Sequence, residues 1–503
     1  MPSGTDHTRT CTLSDLGLQA RGGRDPLIGG LAIDSREVSR GTLFAAFPGA
    51  KVHGAAFAQS AIDSGAAAIL TDPAGLAMLG SAAASGDVAL VVTEDPRADF
   101  ARAAAIWFGA QPATVVAVTG TNGKTSVATF CRQLWDAMGE TACNLGTTGV
   151  EGAWTHPLKH TTPDPLTLHR ALAQAAGQGV THLAMEASSH GLDQRRLDGV
   201  VIKAAGFTNF TQDHLDYHQT FDAYFAAKMG LFDRVLPADG VAVVNIDDPK
   251  GPEVAARAGA NGARVITVGQ AKDADLRLLG QRFDATGQDI RFSFAGQAHT
   301  ARLSLIGGFQ AANAMLAAGL VIAGGAKAGD VFAALPMLGT VRGRMQLAAT
   351  RSNGAAVYVD YAHTPDAVET ALRALRPHVL GRIIAIVGAG GDRDRGKRPL
   401  MGAAAARNAD VVIVSDDNPR SENPAEIRKA VIAGVEAAGF GAADVGDRAE
   451  AILRGVAALE PGDALLIAGK GHETGQTIGD QILPFDDVEQ ASIAVAAIDG
   501  ALA

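Results

Sequence analysis

The sequence predicts an α/β fold in more than one domain, and three observations carry that prediction. Its strand candidates are short, β-branched and apolar on both faces, as the strands of parallel sheets are. Helical patterns separate successive strands, which is the signature of βαβ units. Glycine is abundant, 60 of 503 residues, and suits many tight strand-to-helix turns. A chain of that length is too long for a single core.

Three blocks can be drawn. Residues 1–110 alternate short apolar runs with alanine-rich helical stretches, such as 57–69, before a strand over 88–92. Gln111 and Pro112 form a linker. The second block, 111–340, opens with the apolar strand TVVAV (114–118), turns through glycines and enters a helix near Lys124. Further strands are expected over 182–187, 241–246 and 263–268. From 284 to 305 the pattern changes to polar/apolar alternation, which predicts an antiparallel patch. The third block, 341–503, places strands over 355–361, 382–388, 410–415 and 463–469, with helices between them such as 424–438. It reads as a second doubly wound, Rossmann-like unit, with polar residues gathered just after the strands' carboxyl ends.

Bulk composition excludes several classes. A formal net charge of −10 argues against a general nucleic-acid binder. Cys11, Cys131 and Cys143 are irregularly spaced and offer neither a disulfide framework nor a zinc site. The opening MPSGTDHTRT has no apolar signal core, and no charge-free apolar run reaches the roughly 18 residues that span a bilayer. The expectation is a cytoplasmic protein with no membrane insertion.

One segment carries chemistry on its own. VTGTNGKTS (118–126) follows a buried strand and opens a helix. Gly120, Thr121, Asn122 and Gly123 let backbone amides approach phosphate oxygens, and the helix N-terminus adds a favourable dipole. Lys124 would reach the terminal phosphates, the Thr125 hydroxyl would ligate Mg²⁺, and Ser126 completes the loop. The general pattern is G-x-x-x-x-G-K-[ST], but Val118 stands where its first glycine would be. A chance glycine turn is the competing reading; a strand before and a helix after favour nucleotide binding.

GTNGKTS also resembles the phosphate loop of the Mur ligases and their folate-polyglutamate relatives. The resemblance extends in the family's order through IDSREVSRGTLFAAFPG, TTPDP, MEASSHGL, FTNFTQDHLDYH, AAKMGLF, GRM, VDYAHTPDA, GAGGDRDRGKRPLM, SDDNPRSE and AGKGHE. It implies three domains: an N-terminal one for a UDP-sugar (1–110), a central one for ATP (111–340) and a C-terminal one for an amino acid (341–503). The implied activity is an ATP-dependent, ADP-forming amide ligation in cytoplasmic peptidoglycan precursor synthesis. In the branch most like this chain, meso-2,6-diaminopimelate is added to UDP-N-acetylmuramoyl-L-alanyl-D-glutamate through an acyl phosphate. Partners are then these small molecules, with ATP and Mg²⁺, and the chain is expected to act as a monomer.

Residue by residue, the resemblance makes Glu186 and His214 further Mg²⁺ ligands and Lys228 a carbamylated lysine (N6-carboxylysine) that also ligates the metal. The electrostatic logic is plain: a cation beside Mg²⁺ repels it, whereas a carbamate binds it, and forming the carbamate needs a neutral amine. By composition alone Lys228 is a solvated helix lysine and His214 a structural histidine. The resemblance gives Lys124, Lys228, His214 and Glu186 the catalytic work. It assigns the nucleotide sugar to Ile33, Ser35, Ala50, Lys51 and Val52, then Thr161, Thr162, Ser188, Gln194 and Arg196. His160 stands where the family often has asparagine. For ATP it implies Asn313 at the purine and Arg344 and His363 near the phosphates, with Asp360 orienting one of them or capping a turn.

The amino-acid pocket rests on charge matching. The far end of diaminopimelate needs a guanidinium for its carboxylate and an anion for its ammonium. Arg393 and Asp417-Asn418-Pro419-Arg420 supply the first; Glu473, after Gly469, supplies the second. Lysine lacks the distal carboxylate and would leave Arg420 unpaired, a discrimination that can reach ~10⁴-fold. Three other readings stay open: a lysine-adding sibling, a folylpolyglutamate synthase, and a P-loop regulator that forms no bond.

Overall fold

The computed structural model describes residues 9–49, 52–80, 88–211, 213 and 215–500. The chain divides into two compact units. The first comprises Met1–Lys124, Gly139–Ile266 and Ala323–Gly325; the second comprises Thr125–Met138, Thr267–Ile322 and Ala326–Ala503.

In the first unit, Gly30–Ala32, Thr42–Ala45, Ala68–Thr71 and Ala89–Val92 form a four-stranded parallel sheet in that order. Here the expected helix over 57–69 is corrected. It spans only Ala58–Asp63, and Ala68–Thr71 is a fully buried strand. Alanine's helix preference carries the reading too far because Gly65, at φ +95°, turns the chain left-handed, and AILT then buries on both faces.

A second sheet of this unit runs Val241–Asn245, Ala204–Phe207, Thr114–Thr119, His182–Glu186 and Ala142–Gly146, all parallel. Gly149–Gly152 adds an antiparallel edge. The register sets Glu186 beside Val118 and Phe207 beside Thr119, so three strands end level. The loops leaving those ends carry the phosphate loop, Ala187-Ser188 and Thr208-Asn209, where an open parallel sheet binds ligands. Leu168 and Leu172 of the helix Pro165–Gly177, with Phe225 and Met229 of the helix Phe221–Gly230, pack on the sheet's Val115, Leu183 and Phe207. Asp164 caps the first of these helices by accepting from Leu166 N and Thr167 N, a contact worth ~1 kcal/mol.

In the second unit the antiparallel patch expected over 284–305 is present and begins earlier. Leu276–Asp284, Gly287–Phe294 and Gln297–Leu303 form a meander. The other sheet runs Gln346–Thr350, Ala356–Asp360, Ala464–Ala468, Ile383–Val387, Val411–Val414 and Ala443–Asp444. All its pairs are parallel except the first. That antiparallel edge, Gln346–Thr350, has no counterpart in the sequence reading, because its only partly buried face shows little apolar periodicity. The Rossmann-like unit is otherwise as expected, with apolar clusters on both faces of the sheet. Among the described residues no helix is long and apolar enough to cross a membrane.

Candidate active site

The phosphate loop is braced from beneath. Thr121 N donates to Asn209 O at 2.9 Å, Asn122 N donates to Asn209 Oδ1 at 2.9 Å, and Thr208 Oγ1 donates to Asn122 O at 2.6 Å. Gly120 sits at φ +145°, and a Cβ there would lie 1.8 Å from Thr208 Oγ1, so no other residue fits. The helix Lys124–Ala137 starts at the loop's end, as expected, with Thr125 and Ser126 buried in its first turn.

The amine of Lys124 folds back on the loop, donating to Gly120 O at 2.9 Å and Thr121 O at 2.8 Å. Lys228 donates to the same carbonyl, Gly120 O, at 2.7 Å. This second lysine is 1% exposed, so the solvated-lysine reading fails. Its pKa lies well below the ordinary 10.5, first because burial strips the charge of water and then because Lys124 repels it, with Asp213 acting in the opposite sense. The Tyr224 ring lies 4.4 Å from the Lys228 Nζ, and Tyr224 OH is 3.3 Å from Thr121 Oγ1. A neutral amine is the nucleophile that carbamate formation needs.

Glu186 is buried at its strand's end. Its Oε1 accepts from Thr147 N at 2.8 Å and its Oε2 from Thr147 Oγ1 at 3.2 Å. Thr161 Oγ1 lies 3.1 Å from that same hydroxyl. Thr162 Oγ1 donates to Glu186 O at 2.9 Å and accepts from Ser188 N at 3.0 Å, tying the paired threonines to the strand end. Ser188 caps the helix Ser189–Asp193 through Gly191 N. Arg196 donates to Thr162 O at 2.5 Å and to Gln194 Oε1 at 2.8 Å. Thus Thr161, Thr162, Glu186, Ser188, Gln194 and Arg196 form one connected cluster, and His160 beside them is exposed.

Elsewhere in the first unit, Ile33 packs partly against the four-stranded sheet's core, Ser35 opens a turn capped by Asp34, and Val52 is exposed. Ala50, Lys51 and His214 lie outside the described residues. Among the described residues no group of three His, Cys, Asp or Glu side chains converges to hold a metal. A hard divalent ion takes oxygen donors, and Glu186 is one. Lys228 fits such an ion only once its amine has become a carbamate.

In the second unit Arg344 lies over the Tyr361 ring at 4.6 Å, and its Nη2 is 3.4 Å from Thr125 Oγ1. Its Nε is buried with no hydrogen-bond partner among the described residues, leaving a donor free for an anion. Asp360 settles the turn beneath it, accepting from Met345 N at 2.7 Å and Ala362 N at 2.8 Å. Burial raises the Asp360 pKa and Arg344 opposes the rise. His363 Nδ1 donates to Tyr361 O at 2.9 Å, and the His363 carbonyl accepts from Lys397 Nζ. Asn313 is buried on the helix Phe309–Ala323 and donates to Gln310 Oε1 at 3.0 Å.

The DNPR segment is held tightly. Asn418 donates to Glu473 Oε2 at 2.8 Å, while its own Oδ1 accepts from Thr477 N at 2.9 Å and Lys470 Nζ at 3.2 Å. Arg420 adopts φ +51°, and its Nη1 donates to Gly391 O at 2.7 Å. Pro419 precedes it in the loop. Gly469, at φ +117°, leaves room for buried Asp417: a Cβ there would lie 2.3 Å from Asp417 Oδ2. Arg393 is exposed. Tyr361 draws these groups together. Its phenol pKa is raised by burial, then by Glu473 and Asp417, with Arg344 and Arg393 opposing.

Several residues of the site were passed over in the sequence. Tyr361 sits inside VDYAHTPDA, and its only signal was its place after a strand end. Lys470 is fully buried within AGKGHE, a lysine between two glycines that sequence alone reads as solvated. His472 of the same motif keeps a buried Nδ1 without a partner among the described residues. Burial, then Arg344, Arg342 and His363, push its pKa down to about 4, so its ring is neutral.

Three family models match in chain order: "Mur ligase family, catalytic domain" over residues 27–106, "Mur ligase middle domain" over 118–321, and "Mur ligase, glutamate ligase domain" over 343–471. The chain belongs to the Mur ligase family. Within the family it is 50% identical over 482 residues to the UDP-N-acetylmuramoyl-L-alanyl-D-glutamate–2,6-diaminopimelate ligase of Caulobacter vibrioides, covering 94% of this chain and 97% of the relative. It is 47% identical to the ligase of the same name from Zymomonas mobilis, covering 98% and 100%. A solved structure of a ligase with that name superposes with a TM-score of 0.71 at 32% identity, over 97% of this chain and 99% of the other. This Mur ligase therefore has the family's three-domain α/β fold, and the expected fold class is borne out.

Proposed function

We propose that this Mur ligase joins meso-2,6-diaminopimelate to the D-glutamate of UDP-N-acetylmuramoyl-L-alanyl-D-glutamate, forming ADP and phosphate. ATP transfers its terminal phosphoryl group to the free carboxylate; the diaminopimelate amine attacks the acyl carbon; phosphate leaves with the C–O bond, and the amine's proton is lost to solvent. The observation that carries the reading is a cluster of both signs: Arg344 lies over the partly buried Tyr361 ring at 4.6 Å, and Glu473 Oε2 accepts from Asn418 at 2.8 Å and pairs with Lys470 at 3.3 Å. A cluster of both signs suits a substrate that is itself a zwitterion; a nucleotide switch has no use for one. Relatives of the same name at 47–50% identity support it and disfavour a lysine-adding or folate-linked ligase.

The domain boundaries proposed are 1–110 for the UDP-sugar, 111–340 for ATP and 341–503 for the amino acid. Loop residues Gly120 to Ser126, with Asn313, Arg344 and His363, take the nucleotide. Thr125, Glu186, His214 and carbamylated Lys228 are the proposed Mg²⁺ ligands, and the ion would polarise the transferring phosphoryl group. Ile33, Ser35, Ala50, Lys51, Val52, Thr161, Thr162, Ser188, Gln194 and Arg196 take the nucleotide peptide. Arg393, Asp417, Asn418, Pro419, Arg420, Gly469 and Glu473 take the amino acid. The reaction is that of a cytoplasmic enzyme, and the chain acts as a monomer in this reading.

One assay tests it. The protein is incubated with the UDP-muramoyl dipeptide, ATP and Mg²⁺, then offered diaminopimelate, lysine or no acceptor. Coupled phosphate release and peptide product with diaminopimelate alone is the expected result. Steady phosphate release without an acceptor would sink it.

A further inference from the structure

The motif DHLDYH contains, three residues beyond His214, a side chain with no part in the site described so far. The Tyr217 hydroxyl donates to Asp193 Oδ2 at 2.8 Å and accepts from Gln194 Nε2 at 3.0 Å. The other end of the Gln194 amide accepts from Arg196, at 2.8 Å from Nη2 and 3.2 Å from Nε. Arg196 Nη1 donates in turn to Thr162 O at 2.5 Å.

The chain of contacts has a fixed direction. An ionised carboxylate only accepts hydrogen bonds, so the single phenolic proton goes to Asp193. Tyr217 can then only accept from Gln194, which must present its NH₂ to the phenol and its carbonyl to the guanidinium. A flipped amide would put NH₂ against Arg196 and lose both contacts. Packing sets the phenol in place: its ring lies 4.0 Å from His190 and 4.8 Å from His218. Partial burial raises its pKa above the ordinary 10.0, and Asp193 adds to the rise, so the proton stays on.

We propose that Tyr217 is a positioning residue for the nucleotide peptide, holding Gln194 so that Arg196 is aimed at an anionic group of that substrate. Three of the five guanidinium N–H groups are engaged by the contacts above, which leaves two for the anion. Arg97 strengthens the case. It acts electrostatically on Arg196 and Tyr217, and burial lowers the pKa of both guanidiniums, so an anion placed here would relieve two partly desolvated cations. The inference rests on the function proposed above.

The test compares wild type with Tyr217→Phe, Gln194→Ala and the double variant, measuring kcat and KM for each substrate. Tyr217→Phe keeps the ring on His190 and is expected to raise KM for the nucleotide peptide about five- to tenfold, the loss of one oriented hydrogen bond. KM for ATP and diaminopimelate and kcat should stay put, and the double variant should be no worse than Gln194→Ala. Asp193→Asn, which keeps an oxygen acceptor, should restore most of what Asp193→Ala loses. An unchanged nucleotide-peptide KM in Tyr217→Phe overturns the proposal. So do effects that multiply in the double variant, or a uniform fall in kcat with a lowered melting midpoint, the mark of a merely structural tyrosine. A wild-type chain with no turnover brings down the functional reading and this inference together; wild-type turnover with additive variants brings down the inference alone.

Discussion

Lys228 and Lys470 are both buried, 1% and 0% exposed, yet they are held in opposite ways. Lys470 is ion-paired with Glu473 at 3.3 Å and also donates to Asn418 Oδ1 and Gly475 O. Lys228 meets a backbone carbonyl already shared with a second lysine. Desolvating a charge is costly unless a partner offsets it, and a group without one gives up its charge instead. Lys470 is a scaffold that fixes the DNPR and GKGHE loops to each other. Lys228 is an amine whose positive charge burial and Lys124 both disfavour, the condition that the proposed carbamate needs.

The largest expected effect breaks the comparison at Lys228. In Lys228→Ala, turnover should fall by about 10²–10³-fold, the scale seen when one electrostatic stabiliser of a transition state is removed. Small carboxylates such as formate or acetate should restore part of it by filling the vacated space. Near-normal turnover, or no rescue at any concentration, would remove the carbamate from the mechanism.

Next in size is Lys470→Met. Deleting the buried cation leaves Asn418 and the partly exposed Glu473 without their partner and should cost ~1–3 kcal/mol. Chemical denaturation followed by a probe in the C-terminal sheet would show it. If Lys470→Met costs no more than Lys228→Met, the distinction between scaffold and reactive amine is wrong.

The smallest effect sharpens the comparison through pH. The folded pKa of Lys228 lies below its unfolded value of 10.5, so between those two values the unfolded chain binds a proton that the folded chain does not. Stability should therefore rise with pH across that window and be lost as pH falls toward the folded pKa. The single-proton slope is at most ~1.4 kcal/mol per pH unit. Lys228→Met should flatten this contribution, measured in carbon dioxide-free buffer so that no carbamate forms. Identical pH profiles for the two proteins would contradict a neutral amine in the folded state.

Some of this was legible early because it is written in local pattern. The strand TVVAV and the glycines after it required a turn into a helix, whatever else surrounded them. The strands of the C-terminal sheet were readable because burial on both faces demands unbroken apolar runs. The helix over 57–69 was misread where a local preference met a global one: alanine favours helix, but the sheet needed Ala68–Thr71 as a buried strand. The edge strand Gln346–Thr350 was invisible because only one side of it is covered.

By itself the sequence determined the fold class, the phosphate loop and the family. Periodicity, turn chemistry and ordered motifs act over a few residues and need no neighbours to be read. Only the tertiary structure decided which polar side chains lost their water and what met them there. It buried Lys228 on the carbonyl that Lys124 uses, paired Lys470 with Glu473, and ran Asp193, Tyr217, Gln194 and Arg196 into a single directed chain. Charge state and hydrogen-bond direction depend on partners distant in the chain, and no local pattern encodes them.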